Sequence, residues 1–297
     1  MPAPAIIVTA GDEQYFTLLA DLIQSIRHQT YDLAFDLGVI DVGLSADNKS
    51  WLALQGVTVV PARSDIDYPG RTEWEQKKPG FRTLTARLFM RSYFPGYDTY
   101  MWMDADVWVQ TPDAINCMLK AAAQSDAIHI CCELDRCYKT FFEHAAIWHI
   151  FRDWYNANYG EQVGAAMTLK PMLNAGVWAM SKASPVWQAW VDLYTAALQK
   201  LNEATDKSFM ADQLGLNILL YLQKLPHVIM PATFNWITFY ALPMFDPQSG
   251  LYVEPAPPYR PISQFHLTRP IKIQSEKIAC VGGGEVERPL TFARRQG

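Results

Sequence analysis

The 297-residue chain has no apolar run approaching the roughly 20 residues of a membrane span, so it is not expected to cross a bilayer. Its opening, MPAPAIIVTAGDEQY, lacks a basic leader and has too short an apolar run for a signal peptide, and the expected location is the cytoplasm. Lysine and arginine form no run, and Arg294-Arg295 near the end is too little charge for a membrane tether. With 25 Lys and Arg against 30 Asp and Glu, the net charge is −5 and the pI near 5.7, the wrong sign for a nucleic-acid platform. The five cysteines are an odd number, and Cys131 and Cys132 are adjacent, a poor start for a disulfide framework. Cys131, Cys132 and Cys137 also lack paired zinc spacing, and read as reduced thiols on a strand and its exit loop. No repeat or low-complexity tract occurs, and no glycine-rich phosphate loop follows the first apolar run.

What is abundant is apolar surface. Half the residues are hydrophobic and 19% charged, which excludes disorder. At this length about three-quarters of the unfolded chain's surface can be buried. Ten Trp exceed the needs of a core and suggest a flat apolar ligand. Short β-branched runs at 5–9, 36–42, 57–60, 99–103, 127–132 and 176–180 alternate with helical patterns at 15–27, from Ser45, 83–93, 114–123, within 139–158, 186–201 and 212–222. Further strands are expected near Val228 and over 263–266. Residues 63–80, with Pro69-Gly70 and Pro79-Gly80, read as a polar loop, and 246–261 as a Pro-rich loop. The alternation predicts one α/β domain over 1–297, with a Rossmann-like, mostly parallel central sheet flanked by helices and a ligand site at the strands' carboxyl ends.

The most informative segment is Tyr100 to Val109, YMWMDADVWV. An apolar strand ends in Asp104 and Asp106, separated by the small Ala105. Residues i and i+2 of a strand point the same way, so both carboxylates can converge on a divalent cation. A pair of solvated turn aspartates is the plain alternative. Apolar flanks weigh against it, because two carboxylates beside Trp102 and Trp108 repel each other unless something positive compensates.

This Asp-x-Asp after a hydrophobic strand resembles that of GT-A fold glycosyltransferases, and more closely glycosyltransferase family 8, retaining enzymes that include bacterial lipo-oligosaccharide galactosyltransferases and glycogenin. The resemblance spans roughly 6–272 and implies a metal-dependent transfer of a hexose from a UDP-sugar, UDP-galactose or UDP-glucose, to a glycan or other hydroxyl acceptor. It implies uridine contacts at Ala10, Asp12, Gln14 and Tyr15, from IVTAGDEQY at 7–15. It places Arg87 near the donor phosphates. Asn174, Ala175 and Gly176 of LNAGV would contact the donor sugar, with Glu133, or alternatively Asp135, as a further sugar-contacting acid. Asp212 and Gln213 would flank the anomeric carbon, although Leu214 stands where the family often has a second Asp. In FHLTRPIK (265–272), His266 would complete a metal site with Asp104 and Asp106, holding Mn²⁺ or Mg²⁺, and Lys272 would touch the diphosphate. Arg269 replaces a family Gly there, so either Arg269 joins in phosphate binding or the closing loop differs. Within the domain the nucleotide part is about 1–110 and the sugar and acceptor part about 111–297. Expected acceptor walls are 63–80 and 235–260, with Trp74, Trp236, Phe239, Tyr240 and Tyr259. The alternatives are an inverting transferase using Asp212 as base, a catalytically inactive sugar-nucleotide or glycan-binding module and, less favoured, a nucleotide-sugar pyrophosphorylase.

Overall fold

The computed structural model describes residues 4–78, 80–200 and 210–292; Pro79, residue 201 at the expected helix end, and Arg294-Arg295 lie outside them. In chain order the first half comprises β1 (Ala5–Asp12), α1 (Phe16–Arg27), β2 (Asp36–Gly43), α2 (Ala46–Leu54), β3 (Val57–Pro61), α3 (Arg71–Lys77), α4 (Phe81–Ala86), α5 (Met90–Tyr93), β4 (Thr99–Met103), β5 (Val107–Val109), α6 (Asp113–Ala122) and β6 (Ile128–Cys132). There follow α7 (Thr140–Glu143), α8 (Ala146–Tyr159), α9 (Glu161–Met167), β7 (Leu173–Ser181), α10 (Val186–Gln199), α11 (Ala211–Tyr221), β8 (His227–Met230) and β9 (Trp236–Ile237). The last elements are β10 (Met244–Asp246), β11 (Leu251–Val253), β12 (Gln264–His266), β13 (Ser275–Ala279) and β14 (Glu285–Pro289).

Seven strands form the central sheet in the order β3-β2-β1-β4-β7-β6-β8. All pairs are parallel except those made by β7, which is antiparallel to β4 and β6. Strand alternation builds the two cores. On β4, Tyr100 and Trp102 point into the layer with α4 and α10, while Met101 and Met103 point into the layer with α1 and α6. β1 is buried along both faces, which explains its unbroken apolar run. The helix α2 starts where the Ser45 hydroxyl accepts from the Asn48 N–H at 3.3 Å.

A second, three-stranded sheet, β5-β12-β9, lies over a third core. Its register pairs Phe265 with Trp108 and His266 with Val107. The two rings stack at 4.6 Å and 12°. Six tryptophans (102, 108, 178, 187, 190 and 236) are less than 2% exposed, so the aromatic surplus is mostly core rather than ligand platform.

Three local expectations change. The 63–80 loop contains α3. The expected helix over 83–93 is broken into α4, a 3-10 turn at Arg87–Phe89 and α5, and residues 246–261 include part of the β10-β11 hairpin. No helix among the described residues is long and apolar enough to cross a membrane.

Candidate active site

β1 and β4 are neighbours whose chain connections leave in opposite directions, and the crevice beyond their carboxyl ends is where such sheets bind ligands. A cavity of about 570 Å³ opens there, lined by Ala10, Asp12 and Tyr15 after β1 and by Asp104, Ala105 and Asp106 after β4.

The two aspartates converge by a different route from strand alternation. Residues 104–106 form a turn closed by the Val107 N–H donating to the Asp104 carbonyl at 3.0 Å. The Asp104 backbone N–H is tied to the Gly176 carbonyl at 2.8 Å, and Trp102 Nε1 donates to Asp104 Oδ1 at 2.7 Å. The β5-β12 ladder then delivers His266, whose Nε2 lies 3.6 Å from Asp104 Oδ2 and 3.3 Å from Asp106 Oδ1. One ligand atom from each of the three residues falls within 4.8 Å of the others. Two carboxylates and an imidazole are a donor set suited to Mn²⁺ or Mg²⁺. Gly176 keeps the space open: a Cβ there would sit 2.4 Å from His266 Cε1 and 2.7 Å from Asp104 Oδ2.

Lys272 donates to Asp106 Oδ2 at 2.5 Å and to the Leu267 carbonyl at 2.6 Å. Burial opposes ionisation of Asp106, but His266 and Lys272 beside it hold its carboxyl well below the usual range. Burial likewise resists protonation of His266, and Asp106 and Asp104 outweigh it, raising its pKa. Arg269 points elsewhere, pairing with Glu276 on β13 at 3.0 Å, so the loop is stapled to the β13-β14 hairpin.

Behind the aspartates, Arg87 is 4% exposed and pairs with Asp212, donates to the Ala175 carbonyl at 3.1 Å, and lies 3.7 Å from Asp104 Oδ1. Burial lowers its pKa, and Asp104 acts against that. Asp212 does not cap its helix: Met210 holds the N-cap position of α11 and the carboxylate turns to Arg87. Its Oδ1 is buried without a hydrogen-bond partner among the described residues, and Asp212 lines the cavity.

The two candidate acids differ in placement. Glu133 is buried and lines the cavity, whereas Asp135 does not. Glu133 Oε1 accepts from Asn174 Nδ2 at 2.7 Å and Gln213 Nε2 at 3.1 Å, and Oε2 from the Tyr240 hydroxyl at 2.7 Å. Desolvation raises its pKa against those three donors. An ionised carboxylate only accepts, so both amide NH₂ groups must face it. The oxygens therefore point away, Gln213 Oε1 to the Ala175 N–H at 2.8 Å and Asn174 Oδ1 to the Gly176 N–H at 2.9 Å.

Most of the residues expected from sequence thus share one cavity. Gln14 is exposed and does not line it, and Ala175 and Gly176 support it from behind. Among the expected acceptor residues, Trp74 and Trp236 are buried core, Tyr259 lies off the cavity, and only Phe239 and Tyr240 line it. Phe151 and Trp154 of α8 also line it and escaped the sequence reading, because periodicity cannot separate a cavity-facing ring from a core-facing one. Asp135, Cys137 and Glu254 form a second cluster of ligand type. Its buried Glu254 already holds Arg260 at 2.9 Å and pairs with Arg136, so guanidinium groups meet its charge. All five cysteines are free, and burial pushes the Cys132 and Cys137 thiols up to about 11.

No family model matches the sequence, and no curated protein matches it. Solved structures do. The galactosyltransferase LgtC in complex with donor and acceptor sugar analogs superposes with a TM-score of 0.51 at 16% identity, over 89% of this chain and 87% of that one. An active-site mutant of LgtC gives a TM-score of 0.51 at 15% identity, over 89% and 88%. With its mostly parallel seven-stranded sheet and flanking helices, the chain has the GT-A glycosyltransferase fold.

Proposed function

We propose that the protein is a metal-dependent retaining glycosyltransferase that moves a hexose from a UDP-sugar to a hydroxyl-bearing acceptor. The observation that carries this reading is the meeting of Asp104, Asp106 and His266 within 4.8 Å at the mouth of a cavity that also holds Lys272, Arg87, Asp212 and Gln213. The similar fold of a galactosyltransferase solved with donor and acceptor sugar analogs supports it.

In this reading the segment about 1–110 holds the nucleotide and about 111–297 the sugars. Asp12 offers a carboxylate to base or ribose, and Tyr15 a ring face. A bound Mn²⁺ or Mg²⁺ supplies the charge that neutralises a departing diphosphate. Asp104, Asp106 and His266 would hold that ion, and Lys272 would exchange Asp106 for a phosphate oxygen. Asn174 and Glu133 face the donor sugar. Gln213, its amide direction set by Glu133 and the Ala175 N–H, presents a fixed dipole to the reacting carbon.

Retention is favoured over inversion because Asp212, the carboxylate an inverting transfer would recruit as its base, is buried and held in an ion pair with Arg87. In a retaining transfer the leaving phosphate takes the acceptor's proton. UDP-galactose and UDP-glucose are the preferred donors, and five free cysteines fit a reducing cytoplasm.

The test is UDP release from a panel of nucleotide sugars with Mn²⁺, with and without chelator, followed by NMR of the product anomer. Metal-dependent release with UDP-hexoses supports the reading. UDP binding without release on any donor or acceptor marks a binding module instead, and an inverted anomer replaces the retaining assignment.

A further inference from the structure

The cavity has a polar and an aromatic side, and nothing in the donor chemistry uses the second. Rings from two segments far apart in sequence form one continuous row. Phe239 meets Tyr240 at 5.4 Å, Tyr240 meets Phe141 of α7 at 4.9 Å, Phe141 meets Phe151 of α8 at 6.0 Å, and Phe151 meets Trp154 at 5.6 Å. Phe141 is buried behind the row; the other four line the cavity. Two features set this row apart from core packing. Phe239 is 57% exposed, a large ring left in water at the cavity. Trp154 is half-buried, and its indole N–H has no hydrogen-bond partner among the described residues.

The row is joined to the polar side at one point, the 2.7 Å hydrogen bond from the Tyr240 hydroxyl to Glu133, which also holds Asn174 and Gln213. A ligand lying along the rings therefore has its end beside the groups assigned to the transfer step. That ligand must combine a flat apolar face with hydroxyls at its edge. A pyranose does both: its C–H face packs on an aromatic ring, and its hydroxyls meet an acceptor-only carboxylate and a free indole donor. An alkyl chain satisfies the rings but leaves those polar groups unused.

We propose that Phe239, Tyr240, Phe151 and Trp154 form the acceptor subsite, and that the acceptor is a pyranoside stacked on this row, with Trp154 and Phe239 setting its affinity. This rests on the transferase reading for the word acceptor, while the binding of a pyranoside at the rings is measurable by itself. It keeps Phe239 and Tyr240 of the expected 235–260 wall and adds Phe151 and Trp154 of α8.

The experiment is saturation-transfer NMR on the full chain with methyl pyranosides and with n-octyl glucoside, in the presence of UDP and diamagnetic Mg²⁺, on the wild type, Trp154→Ala, Trp154→Phe and Phe239→Ala. The expected result is transfer to the pyranose ring protons, with Kd raised about tenfold in Trp154→Ala and partly restored in Trp154→Phe, and with UDP affinity changed far less than pyranoside affinity. Phe239→Ala alters an exposed ring, so it answers the question even if Trp154→Ala misfolds. Pyranoside Kd values within twofold of wild type in the folded variants overturn the proposal, as does transfer confined to the alkyl chain. If the wild type binds no UDP, the transferase reading fails, and the pyranoside titrations without nucleotide still decide whether the row is a sugar site.

Discussion

Gly176→Ala tests the proposed metal site most directly. Gly176 lies in β7, the strand whose carbonyl fixes the Asp104 backbone, and its φ is ordinary, so alanine meets no backbone strain there. The added methyl instead meets three fixed atoms: His266 Cε1 at 2.4 Å, Asp104 Oδ2 at 2.7 Å and Asn174 Oδ1 at 2.8 Å. Real Cβ atoms essentially never approach closer than 3.0 Å, so the imidazole must retreat by at least about 0.6 Å (3.0 − 2.4) and the carboxylate by about 0.3 Å (3.0 − 2.7). Metal–ligand bonds tolerate only about 0.2 Å, so two of the three ligands leave bonding range. Overpacking a tight interior costs about 1–3 kcal/mol, a modest drop in Tm for a chain this long. The expected outcome is a folded protein whose Mn²⁺ affinity falls by roughly one to two orders of magnitude, the loss typical of disturbed ligand support. Calorimetric titration with Mn²⁺, alongside a thermal melt, measures both. Wild-type Mn²⁺ affinity in a folded Gly176→Ala protein would refute the assignment of Asp104 and His266 to one ion.

Other substitutions probe neighbouring links. Asp104→Ala or Asp106→Ala should abolish metal-dependent transfer while leaving the circular dichroism spectrum intact; full activity of either in chelator removes the metal role. Trp102→Phe deletes the 2.7 Å bond to Asp104 Oδ1, and should weaken Mn²⁺ binding severalfold, read by the same titration. Glu133→Gln can donate as well as accept, so the Gln213 amide loses its fixed direction; kcat should fall about tenfold or more with donor KM changed less, measured by UDP release. Away from the site, burial opposes ionisation of Asp41, but the Leu44 and Gly43 N–H groups and Lys49 bring its pKa below the usual value. Its contribution is therefore present above the unfolded carboxylate pKa and lost as pH falls through the lower folded value. Asp41→Asn should cost about 1 kcal/mol or less at pH 7, with the difference fading as pH falls below the unfolded carboxylate pKa of about 3.9 in denaturant melts.

Local patterns were legible wherever burial dictates them. The run at 99–103 became β4 with those bounds, and the 15–27 pattern became α1 within one residue. Asp104 and Asp106 were identifiable as a short carboxylate pair in apolar surroundings, whereas His266 was singled out only through the family resemblance of the segment 265–272. What joins them was not legible. The reversal of β7 and the β5-β12 register are nonlocal choices that no window of sequence encodes. The partners of Arg87 were hidden for the same reason: Asp212 lies 125 residues away, and an isolated arginine on a helical pattern looks like surface. Tryptophan misled in both directions, since most of the surplus packs the cores while Trp154, inside an ordinary amphipathic helix, faces the cavity.

The pairing of β5 with β12 also bears on how the molecule assembles. Two of the proposed ligands lie at residues 104 and 106, and the third arrives only when a strand at 264–266 docks across a gap of more than 150 residues. Closing so long a loop is slow, and before β5 docks β12 has β9, about 30 residues upstream, as its strand partner. During refolding, the sheet through β7 can form while only two of the proposed ligands are in place. The appearance of tight Mn²⁺ binding would then mark the final docking event, and the ion, by favouring only the closed chain, would hold that last strand in place.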